Sequence, residues 1–194
     1  MNELNGLILI GGKSSRMGED KGKIVYHKIA QQYHIYHVLA TLCHKVYFSC
    51  NKSQIVELDS NYNYIPDNYD NIGPLGGLLS AFEYDSTKAW LVLACDMPYV
   101  NKQHIQYLIG HRDTQKLATT YISNNRIEPL FTIWESQSYQ YLKEALITEN
   151  YSLRHILKKG DTALISIKDK ESIINVNTPE EKDNALDSLK NKNP

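Results

Sequence analysis

The sequence predicts an α/β protein: a single three-layer α/β/α domain with a mostly parallel, Rossmann-like sheet and an antiparallel addition in its second half. Short, fully apolar runs, typical of strands that are buried on both faces, recur along the first hundred residues. Stretches with helical periodicity separate these runs, as right-handed crossovers between parallel strands require. From about residue 101 this alternation weakens, and two runs with a period of two residues appear.

The first half of the chain contains four predicted strands and three predicted helices. The strands cover Leu7–Ile10, Val46–Cys50, Tyr62–Pro66 and Trp90–Cys95. The first two helices cover Lys28–Leu42, which keeps a period close to 3.6 residues, and Pro74–Tyr84, whose proline suits a first helical turn. The third helix runs to Ile109 behind Asn101 as its N-cap.

The second half predicts an antiparallel strand pair followed by mixed elements. The paired strands are Leu117–Ser123 and Glu128–Trp134, with a turn at residues 124–126 between them. Two helices, a further strand and a C-terminal segment follow: Tyr139–Ile147, Leu153–Leu157, Ala163–Ile167, and a strand-like stretch at 173–177. The last helix begins at Pro179, with Thr178 as its cap.

Composition excludes several classes of protein. The chain has 194 residues, enough for one domain with a core of its own, and a formal net charge of −1, which argues against a nucleic-acid-binding surface. No apolar run approaches a membrane span, and the N-terminus lacks the features of a signal peptide. Cys43, Cys50 and Cys95 are odd in number and lack metal-ligand spacing, which predicts free thiols. We therefore expect a cytoplasmic protein with neither a nucleic-acid nor a membrane partner.

The most informative stretch is GGKSSRMGEDK, residues 11–21, directly after the first predicted strand. Gly11 and Gly12 let the backbone turn and approach a ligand closely. Three cations and two hydroxyl groups accompany them: Lys13, Arg16 and Lys21, and Ser14 and Ser15. Backbone N–H groups, hydroxyls and cations together suit a polyphosphate. The spacing of the glycines excludes two known phosphate-binding motifs, the loop of nucleotide hydrolases and the dinucleotide fingerprint. The alternative to a phosphate-binding loop is a solvated basic turn.

Four positions follow predicted strands directly: Gly11, which opens the stretch above, and Asn51, Asp67 and Asp96. Since ligands of such sheets bind beyond the carboxyl ends of the strands, we expect all four to converge on one cleft. Asp96 ends an apolar strand, where a carboxylate packs poorly but is well placed to hold Mg²⁺ against nucleotide phosphates. The alternatives are that Asp96 caps the next turn and that Asn51 is a turn residue.

Taken together, these motifs carry a specific resemblance. The pattern Gly-Gly-x-Ser-x-Arg-Met-Gly-x-Asp-Lys resembles the signature of the nucleotidyltransferases that build molybdenum cofactor dinucleotides, most closely the molybdenum cofactor guanylyltransferases. ACDMP at 94–98 is similar to the strand end that carries the metal-binding aspartate of that family. Asp67 with GPLGG at 73–77 is similar to the segment that contacts the guanine nucleotide, and NVNTPE at 175–180 to the closing motif on the pterin side. The resemblance covers essentially the whole chain.

The resemblance implies transfer of GMP from GTP to molybdopterin or the molybdenum cofactor, with release of pyrophosphate and with Mg²⁺ as the cofactor. It implies one nucleotidyltransferase domain over residues 1–194, with a nucleotide half at about 1–100 and an acceptor half at about 101–189. The implied catalytic residues are Arg16, Lys21 and Asp96, and Asp96 is also the metal ligand. The implied nucleotide-binding residues are Ile10, Gly11, Gly12, Lys13, Ser14, Ser15, Lys21, Asn51, Asp67, Gly73 and Asp96. Asn175 and Asn177 are the implied acceptor-binding residues.

Three departures from the family pattern affect the predicted site more than the fold. Ile10 and Gly22 each stand where the family prefers alanine, and residues 24–32 lack the usual Gly-x-Pro turn. The nucleotide-side loop is therefore expected to differ in shape.

Other functions stay open at this point. Cytidylyl transfer to the same pterin and nucleotidyl transfer to a sugar phosphate are the nearest alternatives. The paired glycines at 11 and 12 favour guanine, and the Asn-x-Asn-Thr-Pro ending disfavours a sugar substrate. A catalytically silent nucleotide-binding accessory protein is a third alternative, which the presence of Arg16, Lys21 and Asp96 disfavours. A protein that delivers the cofactor is a further possible partner.

Overall fold

The computed structural model describes residues 3–11, 20–167 and 169–192. Seven strands in this part of the chain form one sheet in the order β3-β2-β1-β4-β6-β5-β7. The strands are β1 (Leu4–Leu9), β2 (Val46–Cys50), β3 (Tyr64–Pro66), β4 (Ala89–Ala94), β5 (Ala118–Ser123), β6 (Arg126–Trp134) and β7 (Thr162–Ser166). The α-helices are α1 (Gln31–Ala40), α2 (Lys52–Ile55), α3 (Pro74–Tyr84), α4 (Lys102–Gly110), α5 (Ser138–Ile147), α6 (Leu153–Lys159) and α7 (Pro179–Lys192). Short 3-10 helices cover Lys21–Lys23 and Lys170–Ile173.

The predicted fold class is confirmed, including the antiparallel addition. Strands β1 to β4 pair in parallel, as do β5 and β7, whereas β6 runs antiparallel to both of its neighbours, β4 and β5. Every residue of β1, β2 and β4 is buried, which matches their unbroken apolar sequences. Because β6 alone is reversed, its N-terminal end lies at the sheet edge where the parallel strands have their carboxyl ends.

Helices cover both faces of the sheet, and the period-two pattern of the strands divides the core between them. Leu7 and Leu9 belong to the cluster that includes apolar residues of α3, α5 and α6. Ile8 and Ile10 belong to the opposite cluster, which includes residues of α1 and α4. Alternate side chains of one strand therefore fill two separate cores, and the domain has three layers.

Most element boundaries agree with the sequence prediction within a few residues. Val46–Cys50 and Pro74–Tyr84 are reproduced residue for residue. The helix predicted at Lys28–Leu42 is shorter, because Ala30 before it has an extended backbone. The stretch at 173–177 is not a strand. Ile173 ends a 3-10 helix, and the residues after it form a connection without regular secondary structure. The four-residue helix α2 was not predicted, since it is too short to show a period.

Close packing of α3 on the sheet depends on glycine. A Cβ atom at Gly77 would overlap Ser49 Oγ of β2 and would lie 3.0 Å from Leu9 Cδ2 of β1. The missing side chain lets the helix backbone approach both strands directly. The start of α3 is thereby held against the carboxyl ends of β1 and β2.

The C-terminal helix returns to the beginning of the chain. Ala185 and Leu189 of α7 pack with Val176 against Ile24 and Tyr26, which follow the 3-10 helix at Lys21–Lys23. This small third core brings residues 175–177 next to residues 21–26, although about 150 residues separate them in sequence.

Two observations within the described residues concern the cysteines and the length of the helices. The three cysteines of the chain are free and mostly buried, and burial raises the pKa of the Cys43 thiol to about 12 and that of Cys50 to about 11. No helix in the described ranges combines the length and the apolar character needed to cross a membrane.

Candidate active site

Three distant parts of the sequence meet just beyond the end of β4. Lys21 Nζ lies 3.1 Å from Asp96 Oδ2 and 2.6 Å from Asn177 Oδ1. The N–H of Val176 donates to the backbone carbonyl of Asp96 at 2.8 Å. A cation from the N-terminal segment, the carboxylate after β4 and the C-terminal asparagine motif therefore form one cluster, which brings together three motifs of the family resemblance.

Local backbone geometry presents Lys21 to this cluster. Asp20 Oδ1 accepts a hydrogen bond from the N–H of Gly22 at 2.9 Å and so caps the 3-10 helix that contains Lys21. Gly22 is buried, and a Cβ atom there would lie 2.5 Å from Gln32 Oε1 of α1. The departure from the family pattern at Gly22 thus has a physical reason, because this turn packs directly on Gln32.

A capping box holds Asn177 in place. Glu181 Oε2 accepts from the N–H groups of Asn177 at 2.6 Å and Thr178 at 3.0 Å, and Thr178 Oγ1 accepts from the N–H of Glu181 at 3.2 Å. The bond from Asn177, followed by those from Thr178, lowers the pKa of the exposed Glu181 carboxyl. The predicted cap at Thr178 is confirmed, and it also orders the residue that contacts Lys21.

Asp96 has one carboxylate oxygen engaged and one without a partner. Its side chain is 17% exposed, and Oδ2 faces Lys21. Buried Oδ1 has no hydrogen-bond donor among the described residues, and the same holds for Asn175 Oδ1 nearby in the C-terminal motif. Buried oxygens are normally satisfied, so these atoms suit a ligand or a cation. The described ranges contain no group of three or more His, Cys, Asp or Glu side chains suited to a metal.

Asp67, which the sequence predicts to bind the nucleotide, directly follows β3 at the same edge of the sheet. Burial raises the pKa of this carboxyl, while hydrogen bonds from the Tyr69 backbone and the Ser80 hydroxyl lower it. Ser80 Oγ donates to Asp67 Oδ1 at 3.3 Å, and a Cβ atom at Gly76 would lie 2.9 Å from the same oxygen. Gly73, with a φ of 62°, makes the turn into α3. The first turns of α3 therefore lie against Asp67.

A glutamine that the sequence analysis missed joins the ends of β1 and β2. Gln54 Nε2 donates to the carbonyl of Ile10 at 3.0 Å, and Gln54 Oε1 accepts from the N–H of Asn51 at 3.1 Å. Asn51 Oδ1 in turn accepts from the N–H of Gln54 at 3.0 Å and caps α2. The spacing Asn-x-x-Gln is the signature of a capping box and was the available signal. A Cβ atom at Gly11 would lie 3.8 Å from Gln54 Oε1.

The structure therefore locates most of the predicted site residues. It joins Lys21 and Asp96 to Asn177, and it places Gly11, Asn51, Asp67 and Gly73 at the ends of β1 to β3 or at the start of α3. The Ile10 side chain is buried in the core, so a nucleotide contact there would fall to its backbone. Five predicted residues lie outside the described residues: Gly12, Lys13, Ser14, Ser15 and Arg16.

Comparison with known protein families identifies the family of this chain. The family described as MobA-like NTP transferase domain matches residues 6–164. The chain belongs to this family. A probable molybdenum cofactor guanylyltransferase from Flavobacterium johnsoniae is 26% identical over 93% of this chain and 95% of its own length. One from Bacillus cereus is 28% identical over 99% of this chain and all of its own length. A molybdenum cofactor biosynthesis bifunctional protein from Synechocystis is 32% identical, and the chain spans 52% of it.

Solved structures show the same fold. Molybdopterin-guanine dinucleotide biosynthesis protein A from Archaeoglobus fulgidus superposes with a TM-score of 0.82 at 20% identity, covering 96% of this chain and 99% of that one. A nucleotidyl transferase from Methanothermobacter superposes with a TM-score of 0.76 at 13% identity, over all of both chains. The fold is therefore that of a nucleotidyltransferase.

Proposed function

We propose that this protein transfers GMP from GTP to the terminal phosphate of molybdopterin and releases pyrophosphate. The observation that carries the proposal is the cluster at the end of β4, where Lys21 Nζ lies between Asp96 and Asn177. The cluster joins the phosphate-binding segment to the C-terminal asparagine motif. The relatives named molybdenum cofactor guanylyltransferases support the choice of substrates.

The reaction needs little covalent participation from the protein. An oxygen of the acceptor phosphate attacks the α-phosphorus of GTP, and a new phosphorus–oxygen bond forms. The bond from the α-phosphorus to its bridging oxygen breaks, and pyrophosphate leaves with the electron pair. No general base is needed, because the attacking phosphate is already an anion. Catalysis then consists of positioning the two substrates and stabilising negative charge.

Each group in this mechanism has a separate task. Lys21 and Arg16 hold the β- and γ-phosphates and stabilise the leaving pyrophosphate. Backbone N–H groups of residues 11–15 bind the phosphates, and Asp67 accepts hydrogen bonds from the guanine base. Asn175 and Asn177 contact the acceptor from the opposite side of Asp96.

The residues present also fit Mg²⁺. Asp96 would hold the ion, because its buried Oδ1 lacks a hydrogen-bond donor among the described residues and carboxylate oxygen is a preferred ligand. When bound, Mg²⁺ supplies charge neutralisation at the phosphates. The free, buried thiols at Cys43, Cys50 and Cys95 support a cytoplasmic setting. We include transient delivery of the acceptor by a second protein in the proposal.

Isothermal titration with GTP, CTP, ATP and UTP in the presence of Mg²⁺ tests the proposal. We expect GTP alone to bind, and we expect Asp96→Ala to lose the Mg²⁺ dependence of binding. Preference for CTP would replace guanylyl with cytidylyl transfer. Absence of binding by every nucleotide would overturn the proposal.

A further inference from the structure

A buried carboxylate lies near Asp96, on the proposed acceptor side. Strand β6 pairs antiparallel with β4 up to the pair Leu93 and Phe131, and Asp96 and Glu128 each lie three residues beyond this last pair, at the same edge of the sheet. Glu128 is 8% exposed. Burial is the main cause that raises the pKa of Glu128, and the charge of Asp96 adds to it, while the hydrogen bond from Leu130 and the charges of Arg154 and Arg126 lower it.

An irregularity in the sheet determines where Glu128 lies. Strands β5 and β6 pair regularly at Thr120 and Thr132, but the next pair is Ile122 with Ile127, so β6 has extra residues between these pairs. This bulge contains Glu128 and Pro129, and proline has no N–H for the ladder. Bulges next to active sites commonly redirect a side chain.

Buried polar side chains support the bulge. The hydroxyls of Thr120 and Thr132 each lie 2.8 Å from the backbone carbonyl oxygen of Glu128, and all three residues are buried. The N–H of Leu130 donates to Glu128 Oε1 at 3.1 Å. The backbone at Glu128 is thus held by specific hydrogen bonds, and its carboxylate has a defined orientation.

The carboxylate retains capacity to bind a ligand. Glu128 forms no ion pair with another described residue, and within the described ranges its Oε2 accepts no hydrogen bond. Buried carboxylates are normally paired, because an unpaired one is costly. Oε1 also keeps a lone pair beyond the one that accepts from Leu130.

We propose that Glu128 is a specificity-determining residue that recognises the acceptor through the adjacent ring N–H and amino group of a 2-amino-4-oxopyrimidine ring, as in a pterin. Two parallel donors match the two oxygens of a carboxylate. The inference rests on the proposed function, since it assigns the acceptor side of the same reaction.

The sheet order separates this role from recognition of guanine, which has the same donor edge. Asp67 follows β3, Asp96 follows β4 and Glu128 lies in β6, and the order β3-β2-β1-β4-β6 puts Asp67 and Glu128 on opposite sides of Asp96. A nucleotide whose base reaches Asp67 occupies the first side only. Glu128 is therefore available to the second ring.

Fluorescence titration with 6-hydroxymethylpterin, with GTP and Mg²⁺ saturating, tests the inference. 6-Hydroxymethyllumazine, in which oxygen replaces the amino group, is the matched ligand. We expect the pterin to bind at least about tenfold more tightly than the lumazine, since a lost charged hydrogen bond has about this effect. Glu128→Gln keeps an oxygen for Leu130 and should weaken pterin binding about tenfold without changing GTP binding. Asp67→Asn should show the opposite pattern.

Each outcome has one meaning. Equal binding of pterin and lumazine by the unaltered protein overturns the inference, as does absence of binding by either compound when GTP binds. Unchanged pterin binding by Glu128→Gln also overturns it, and loss of GTP binding in that variant would assign Glu128 to the nucleotide side instead. If the unaltered protein binds no GTP, the proposed function itself fails. Thermal unfolding checks that each variant is folded.

Discussion

The sheet order puts one carboxylate on each side of Asp96, the half-buried Asp67 and the buried Glu128, and the two are held in different ways. Asp67, on the proposed nucleotide side, directly follows the parallel strand β3, and close packing of α3 through Gly76 holds it. Glu128, on the proposed acceptor side, lies inside the antiparallel strand β6, where a bulge and two threonine hydroxyls hold its backbone. Burial is the main cause of the raised pKa of both groups. The rule that ligands bind beyond the carboxyl ends of parallel strands therefore predicts Asp67 as a site residue, but it does not predict Glu128.

Lys21 contacts both Asp96 and Asn177, so we expect its replacement to lower activity more than any other change proposed below. Lys21→Ala removes the cation between Asp96 and Asn177, and we expect turnover to fall on the order of 10²–10³-fold, as for loss of one transition-state contact. Lys23→Ala is the matched control, because Lys23 is exposed and pairs with the exposed Glu57. Pyrophosphate release measures both variants. Equal activity of the two would remove Lys21 from the mechanism.

The nucleotide side depends on close backbone packing. Gly77→Ala should lower the free energy of unfolding by about 2–3 kcal/mol, because the new methyl group overlaps Ser49 Oγ. Gly110→Ala, in α4, meets no atom within 4 Å and should be neutral or slightly stabilising. Urea denaturation compares the two. If both variants have the stability of the parent, the packing of α3 is looser than the structure shows.

The acceptor side depends on buried hydrogen bonds. Thr132→Val keeps the shape of the side chain but removes a hydroxyl at the Glu128 carbonyl, so we expect a loss of about 1–2 kcal/mol in the free energy of unfolding. We also expect weaker binding of 6-hydroxymethylpterin with unchanged GTP binding. Urea denaturation and ligand titration measure these effects. A change confined to GTP binding would contradict the division of the cleft into two sides.

An effect no larger than this is expected at the stacked rings of His27 and His34. Burial, with the neighbouring charges of His27 and His37, lowers the pKa of His34 from 6.5 to about 4. Protonation then favours the unfolded chain, so stability is full above about pH 6.5 and falls as the pH is lowered toward 4. The loss is on the order of 1–2 kcal/mol for a half-buried ring.

Comparing the parent with His34→Gln isolates this contribution, since the variant should lose less stability between pH 6.5 and pH 4. The midpoint of thermal unfolding at several pH values is the measurement. Parallel curves for the two proteins would show that His34 does not titrate as described.

Local sequence patterns were sufficient to predict most of the helices and strands. The apolar run at Val46–Cys50 and the Gly-Pro start of α3 predicted their elements because strand burial and helix initiation depend on neighbouring residues. The motifs around Lys21, Asp96 and Asn177 also predicted that these residues share a cleft. Residues 12–19 lie outside the described part of the chain, so the predictions at Lys13 and Arg16 stay predictions.

Other features depend on pairs of elements that are far apart in sequence. The α/β class and the position of Asp96 at the carboxyl edge of the sheet could be predicted from local sequence, because each follows from a strand and the turn directly after it. The assignment of residues to a nucleotide side stays a prediction. Tertiary contacts were needed to show that Gln54 joins β1 to β2 and that Glu128 lies in the strand next to β4, at the sheet edge where Asp96 follows β4. The position of Glu128 depends on the reversed direction of β6, its register with β4 and its bulge. The direction and register of β6 relative to β4 join residues about forty positions apart, which no local pattern encodes, whereas the bulge arises in the pairing of β6 with its sequence neighbour β5.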